Sequence, residues 1–180
     1  MATDQALADE IVDTIRTWVD REVMPNAAEF EHSDTFPQAM FDQMCDFGLF
    51  GSTIPEEYGG LGLDITTYAR IIEELSRGFM SLAGILNTHK IGATMIGRFG
   101  TEEQRQRFLP RMCDGSFRAA FSLSEPDAGS DTGCHSVPSR ARRRRVGSQR
   151  HQVLGHQRPA VVPCHADGPH PRRPHHLLPG

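Results

Sequence analysis

Residues 99–131 read FGTEEQRQRFLPRMCDGSFRAAFSLSEPDAGSD, and along them the apolar period changes from that of a helix to that of a strand. Thr101 to Gln104 has the form of a capping box, Thr-x-x-Gln, and predicts a short helix carrying Phe108, Leu109 and Met112, which Pro110 should shorten or kink. After Asp114 and Gly115, Phe117, Ala119, Phe121 and Leu123 alternate with Arg118, Ala120, Ser122 and Ser124, as in a half-buried strand. SEPDAGSD, residues 124–131, follows as a turn rich in Gly, Ser and acceptor side chains. A helical domain therefore hands over to a β-domain near residue 115.

Upstream, four further segments carry helical periodicity. From Thr3 to about Met24, Leu7, Ile11, Ile15, Trp18 and Val19 form one apolar stripe against Asp9, Asp13, Arg16 and Asp20, and Pro25 is expected to end that helix. A second helix is predicted over Phe36–Phe47, capped by Asp34 or Thr35 and stopped at Gly48, with Phe36, Met40, Phe41 and Met44 inward. In GSTIPEEYGGLGLD, Pro55, Gly59, Gly60 and Gly62 force a loop and Asp64 can cap the next helix, whose Tyr68, Ile71, Ile72 and Leu75 repeat up to Gly78. A fourth, about Ser81–Phe99, carries Leu82, Ile85, Leu86, Ile91, Met95 and Ile96 on most of its sides and is expected to be central to a bundle. His89 reads as a satisfied helix histidine, Glu56 and Glu57 as loop acids, and Glu73 and Glu74 as one solvated helix flank.

At 180 residues and 38% hydrophobic, the chain can build one domain with a core and part of a second. Its charge is uneven: residues 1–132 hold 10 basic against 22 acidic side chains, whereas 133–180 hold nine Arg and one acid, Asp167. No apolar run has the length of a membrane span, and Met1–Asp13 lacks the basic start and apolar core of a signal peptide, so a soluble, cytoplasmic protein is expected. Cys45, Cys113, Cys134 and Cys164 lack CxxC or Cys/His ligand spacing, which points to buried or incidental thiols rather than disulfides or zinc. No nucleophile triad, phosphate-binding loop or GxGxxG fingerprint is present.

REVMPNAAEFE, FGLFGSTIPEEYGGLGLD and the stretch from Phe99 to Asp131, in this order and at these distances, resemble the acyl-CoA dehydrogenase family from about residue 8 to 132. The resemblance implies a mainly α fold: an N-terminal helical bundle over 1–115, then the first strand and flavin-binding turn of a β-domain over 116–132. It implies FAD held noncovalently, an acyl-CoA substrate, an electron-transfer flavoprotein or similar acceptor, and a homotetramer. Carried over residue by residue, Phe121, Ser122, Leu123, Ser124, Glu125, Pro126, Asp127, Ala128, Gly129 and Ser130 match the family's flavin-binding segment. Phe121 and Leu123 should pack on the isoalloxazine, Ser124 should bond its polar edge, and Ser130 should also meet the CoA side of the substrate. No catalytic residue is assigned, because the family's carboxylate base lies in a C-terminal domain.

Beyond Thr132 the resemblance stops within one residue, and 133–180 become rich in Arg, His, Pro and Gly, a composition expected to be disordered. Residues 140–145, RARRRR, could form a basic patch for an anionic partner, which would make the chain a non-enzymatic helical module with a basic tail. The genetic code offers another reading. With CGN arginine codons and a one-base shift, Val146 and Leu154 each permit Trp, His151 and His156 give Thr or Ile, and Arg150 and Arg158 permit Gly. The shifted text from Val146 can read W-V-V-N-G-T-K-S-W-V-T-N-G, which looks like the family's segment after the flavin-binding turn. The expectation is therefore an acyl-CoA dehydrogenase in a truncated or mis-framed chain, inactive alone, with no nucleic-acid or membrane partner. Residues 1–132 do not exclude another flavin enzyme of the same fold, of the acyl-CoA oxidase type.

Overall fold

The computed structural model describes residues 3–120 and Ser130, and gives the backbone of 139–142 and 145–148. Six α-helices build the helical unit: α1 (Gln5–Trp18), α2 (Met24–Ser33), α3 (Gln38–Asp46), α4 (Ile65–Gly78), α5 (Met80–Phe99) and α6 (Glu102–Cys113). α4 packs against both α1 and α5, and α5 in turn packs against α6, while α3 and two 3₁₀ turns, Leu49–Gly51 and Glu56–Tyr58, adjoin this row. Ile11, Val12, Ile15 and Trp18 of α1, Met40, Phe41 and Met44 of α3, Ile71 and Leu75 of α4 and Leu82 and Leu86 of α5 form the main core. A smaller core joins Ile54 and Tyr58 of the loop to Ala93, Leu109, Met112, Cys113 and Phe117.

Local chemistry starts the helices where the sequence predicts. Asp64 caps α4, accepting from the Thr66 and Thr67 N–H groups at 2.8 and 3.0 Å. Thr67 N–H, and then Thr3 N–H at 2.9 Å, hold the Asp64 carboxyl well below the usual carboxylate range. The Thr101–Gln104 box closes in both directions, with Thr101 N–H on Gln104 Oε1 at 2.9 Å and Gln104 N–H on Thr101 Oγ1 at 3.3 Å. In the loop, Gly59 and Gly62 take φ of 85° and 62°, and a Cβ on Gly60 would run into the Ile54 carbonyl.

Several expectations are corrected. Pro25 does not end the first helix: Val19–Val23 form a π turn, Pro25 sits in the first turn of α2, and the rod continues to Ser33. In that first turn the missing N–H is tolerated, and the preceding wide turn departs from the i→i−4 ladder that proline would break. Neither Asp34 nor Thr35 caps α3, which starts after Pro37 without a side-chain cap; Asp34 is the left-handed end of α2, at φ 50°. Phe36 is 40% exposed instead of buried. Pro110 lies inside α6, and the helix runs three residues past it. α5 sits between α4 and α6 as expected of a central helix, yet Met95 and Phe99 are 53% and 81% exposed. Of the predicted strand, Arg118–Ala120 adopt no regular structure and residues 121–123 lie outside the described residues.

Ala120–Val162 belong to a second unit. Within it, β1 (Ser139–Arg142) pairs antiparallel with β2 (Arg145–Ser148), Arg142 opposite Arg145. The expectation for the rest of 133–180 lies outside the described residues.

Candidate functional site

The candidate site begins where the chain leaves α6. Gly115 turns it at φ 73°, and Ser116 N–H donates to Asp114 Oδ1 at 2.8 Å. Phe117 is buried, its N–H on the Arg111 carbonyl at 2.9 Å and its ring 5.5 Å from that of Phe108. The Arg118 guanidinium lies 4.8 Å from the Phe41 ring centre and 5.9 Å from that of Phe36, a stacking that keeps Phe36 in contact although it is exposed. Ala119 N–H donates to His89 Nδ1 at 3.5 Å, and its methyl fills the space that a side chain on Gly92 would need. Three successive residues thus have three separate anchors on α3, α5 and α6.

His89 is 1% exposed and meets the Phe50 ring edge-on at 5.1 Å between centres. Burial pushes its pKa down to about 4; backbone groups of Met112 and Phe50 oppose that fall, and the charge of Arg118 adds to it. Nε2 has no hydrogen-bond partner of acceptable geometry. The helix-histidine reading therefore holds for one nitrogen, and nothing in the sequence signalled that its partner would be the amide of Ala119. Sequence reasoning also misplaced Glu74, which is 8% exposed and bound by Arg16 and Arg77. Its burial raises its pKa, but the two guanidinium bonds outweigh that and hold it below the usual range. Glu56 and Glu57 are exposed loop acids as read.

Of the residues assigned to flavin, Phe121, Ser122, Leu123, Ser124, Glu125, Pro126, Asp127, Ala128 and Gly129 lie outside the described residues, while Ser130 is exposed. What the structure describes is the segment that precedes them in sequence, Phe117–Ala119. Cys45 and Cys113 are free thiols, both pushed up to about 12 chiefly by burial. Among the described residues no three His, Cys, Asp or Glu side chains gather to hold a metal ion, and no helix is long and apolar enough to cross a membrane.

The described residues thus form a helical domain whose last segment, Phe117–Ala119, is pinned to it, and the comparisons specify its family. Residues 6–116 match the family model "Acyl-CoA dehydrogenase, N-terminal domain", so the chain belongs to the acyl-CoA dehydrogenase family. It is 38% identical over 120 residues to an acyl-CoA dehydrogenase of Bacillus subtilis (strain 168), covering 66% of this chain and 32% of that protein. Its fold is similar to a chain in the structure of the electron transferring flavoprotein of Acidaminococcus fermentans, with a TM-score of 0.73, 29% identity and coverage of 81% of this chain and 39% of the other. It is also similar to the acyl-CoA dehydrogenase of Bacillus anthracis complexed with FAD, with a TM-score of 0.68, 32% identity and coverage of 76% and 24%. The chain spans about a third of the length of the curated relatives it matches.

Proposed function

We propose that the chain is the N-terminal part of an FAD-dependent acyl-CoA dehydrogenase that desaturates an acyl-CoA thioester between the α and β carbons. The observation that carries this reading is the family match over residues 6–116, which ends just before the segment read as flavin-binding. The donor set there suits a flavin. Ser122, Ser124 and Ser130 offer hydroxyls, Phe121 and Leu123 offer apolar faces, and Gly129 lets backbone approach closely. Ser130 is exposed and free to meet a ligand.

In this reading Phe121 and Leu123 pack on the isoalloxazine, Ser124 bonds its polar edge, and Ser130 meets the CoA side of the substrate. FAD, when bound, supplies the acceptor for the β-hydride. The α-proton goes to a carboxylate in a part of the enzyme outside these 180 residues, and the C–H electrons left behind form the new double bond. Similarity to a chain in the electron transferring flavoprotein structure supports a flavoprotein acceptor for the electrons. A homotetramer is part of the same proposal.

Residues 133–180 are read as the same gene one base out of frame. The W-V-V-N-G text recovered from Val146–Arg150 supports this, as does the loss of resemblance within one residue of Thr132. In that reading the 180-residue chain carries neither the family's text after the flavin-binding turn in frame nor a carboxylate assigned as the base. It should retain no FAD after desalting and oxidise no acyl-CoA, whereas the protein from DNA corrected near the codon for Gly133 should be yellow and bleached by acyl-CoA. Yellow, substrate-bleachable protein from the 180-residue chain would overturn the frame reading. A corrected protein without flavin would overturn the dehydrogenase reading.

A further inference from the structure

The chain's exit from the helical domain is held by contacts that a helical bundle does not itself require. Gly92, inside α5, has no side chain to separate it from Ala119, and alanine there would collide with the Ala119 methyl. One turn earlier on the same helix, His89 turns Nδ1 toward the Ala119 amide at 3.5 Å, so a buried imidazole satisfies a backbone donor that lies outside any helix or strand. Arg118 lies against two aromatic rings of the α3 region, and Phe117 is sealed into the smaller core. An imidazole that accepts at Nδ1 carries its proton on Nε2, which has no hydrogen-bond partner among the described residues. A polar side chain so buried is expensive for a core unless its groups are paired, whereas an apolar residue would bring no ring donor or acceptor to satisfy.

We propose that His89 is a positioning residue: with Gly92 it forms a dock on α5 for the amide and methyl of Ala119, fixing where the segment from Phe121 onward starts. The functional meaning rests on the flavin reading of Phe121–Ser130, which begins two residues further along the chain. The dock itself is a property of the helical unit and is tested without flavin.

Amide hydrogen exchange of the full 180-residue chain, followed by NMR at neutral pH, reads the Ala119 N–H directly. In the unsubstituted protein it should exchange at least about tenfold more slowly than in an unstructured peptide. His89→Leu should bring that rate back to the unstructured value, and His89→Asn should restore protection, because the amide oxygen occupies about the place of Nδ1. Gly92→Ala gives an independent arm: it raises the helix propensity of α5, so a purely structural role predicts equal or greater protection everywhere. The dock predicts instead that Ala119 alone loses protection while α5 keeps it. Should His89→Leu fail to fold, Gly92→Ala carries the test. Free exchange of Ala119 in the unsubstituted chain, or equal protection of it in His89→Leu or Gly92→Ala, would overturn the proposal. A frame-corrected protein that protects Ala119 yet retains no flavin counts against the dehydrogenase reading and leaves the dock standing.

Discussion

Arg16 donates to one oxygen of the Glu74 carboxylate at 2.9 Å, across the interface between α1 and α4, and Arg77 takes the other oxygen at the same distance. Asp13 and Asp20 bind the far sides of the two guanidinium groups at 2.7 and 2.8 Å, which makes a five-member chain of alternating charge. Its centre is buried and its ends are wet. Glu74→Gln should leave the two arginines around a neutral amide and lower the unfolding free energy by about 1–2 kcal/mol, the modest end for a buried carboxylate because both arginines reach solvent. An unchanged urea midpoint would show that the network adds nothing to stability.

Acid should loosen the domain in two stages. His89 has its pKa pushed down to about 4 in the fold against an ordinary 6.5, so the native state binds fewer protons than the unfolded chain in that window. Its stabilising contribution is present above pH 6.5 and is lost as the pH falls toward 4, by about 3 kcal/mol in all. Glu74 and Asp64 are also held below their ordinary values, so their contributions disappear at still lower pH. Urea unfolding between pH 7.5 and 4 should show a clearly smaller loss in His89→Asn than in the unsubstituted chain. Parallel pH dependences would refute the assignment to His89.

Two glycines should respond to alanine in opposite directions. At Gly60 the new Cβ would meet the Ile54 carbonyl and lie 2.7 Å from the Gly51 oxygen, both backbone, so the loop must shift at a cost of about 3 kcal/mol. At Gly84, an exposed position of α5, nothing among the described residues lies within 4 Å of an added Cβ, and alanine should stabilise by up to about 1 kcal/mol. Thermal unfolding of the two variants ranks them. Equal melting temperatures would mean that the loop gives way without strain.

Cys45 and Cys113 should resist alkylation in the folded chain. Their thiols are pushed up to about 12, so the thiolate is scarce at pH 8. Peptide mapping after iodoacetamide should find both labelled at least about tenfold more slowly than in urea. Rapid labelling of Cys113 in the folded protein would show that the smaller core opens.

The helices with strong stripes were legible because one period and one cap each pointed the same way: Asp64 into α4, Thr101 into α6, Gly48 and Gly78 at helix ends. α2 was not, because Met24–Ser33 buries no residue fully and carries only Ala27 and Phe30 against the core. A proline at its start then read as a stop. Glu74 was taken for solvated because charge pattern along one helix says nothing about arginines that arrive from another. For the site, sequence resemblance named Phe121–Ser130, whereas the contact that holds the chain just before them joins residues 30 positions apart, Ala119 and His89, and no local pattern encodes such a pairing.

The π turn at Val19–Val23 acts as a phase corrector. Leu7, Ile11, Ile15, Val19, Val23 and Ala27 repeat every four residues, and each such step overshoots a full α-helical turn by about 40°. An unbroken α-helix would carry the stripe steadily around its axis and away from the α4 face. Wider winding over five residues gives some of that rotation back, so that Val19 and Val23 both stay sealed against Gly78, at which any side chain would strike Val19. Removing one residue from Val19–Val23 would swing everything after it by about 100°, facing Ala27 and Phe30 toward water. The length of that short segment is thus a coordinate of the fold, fixed as firmly as the identity of its valines.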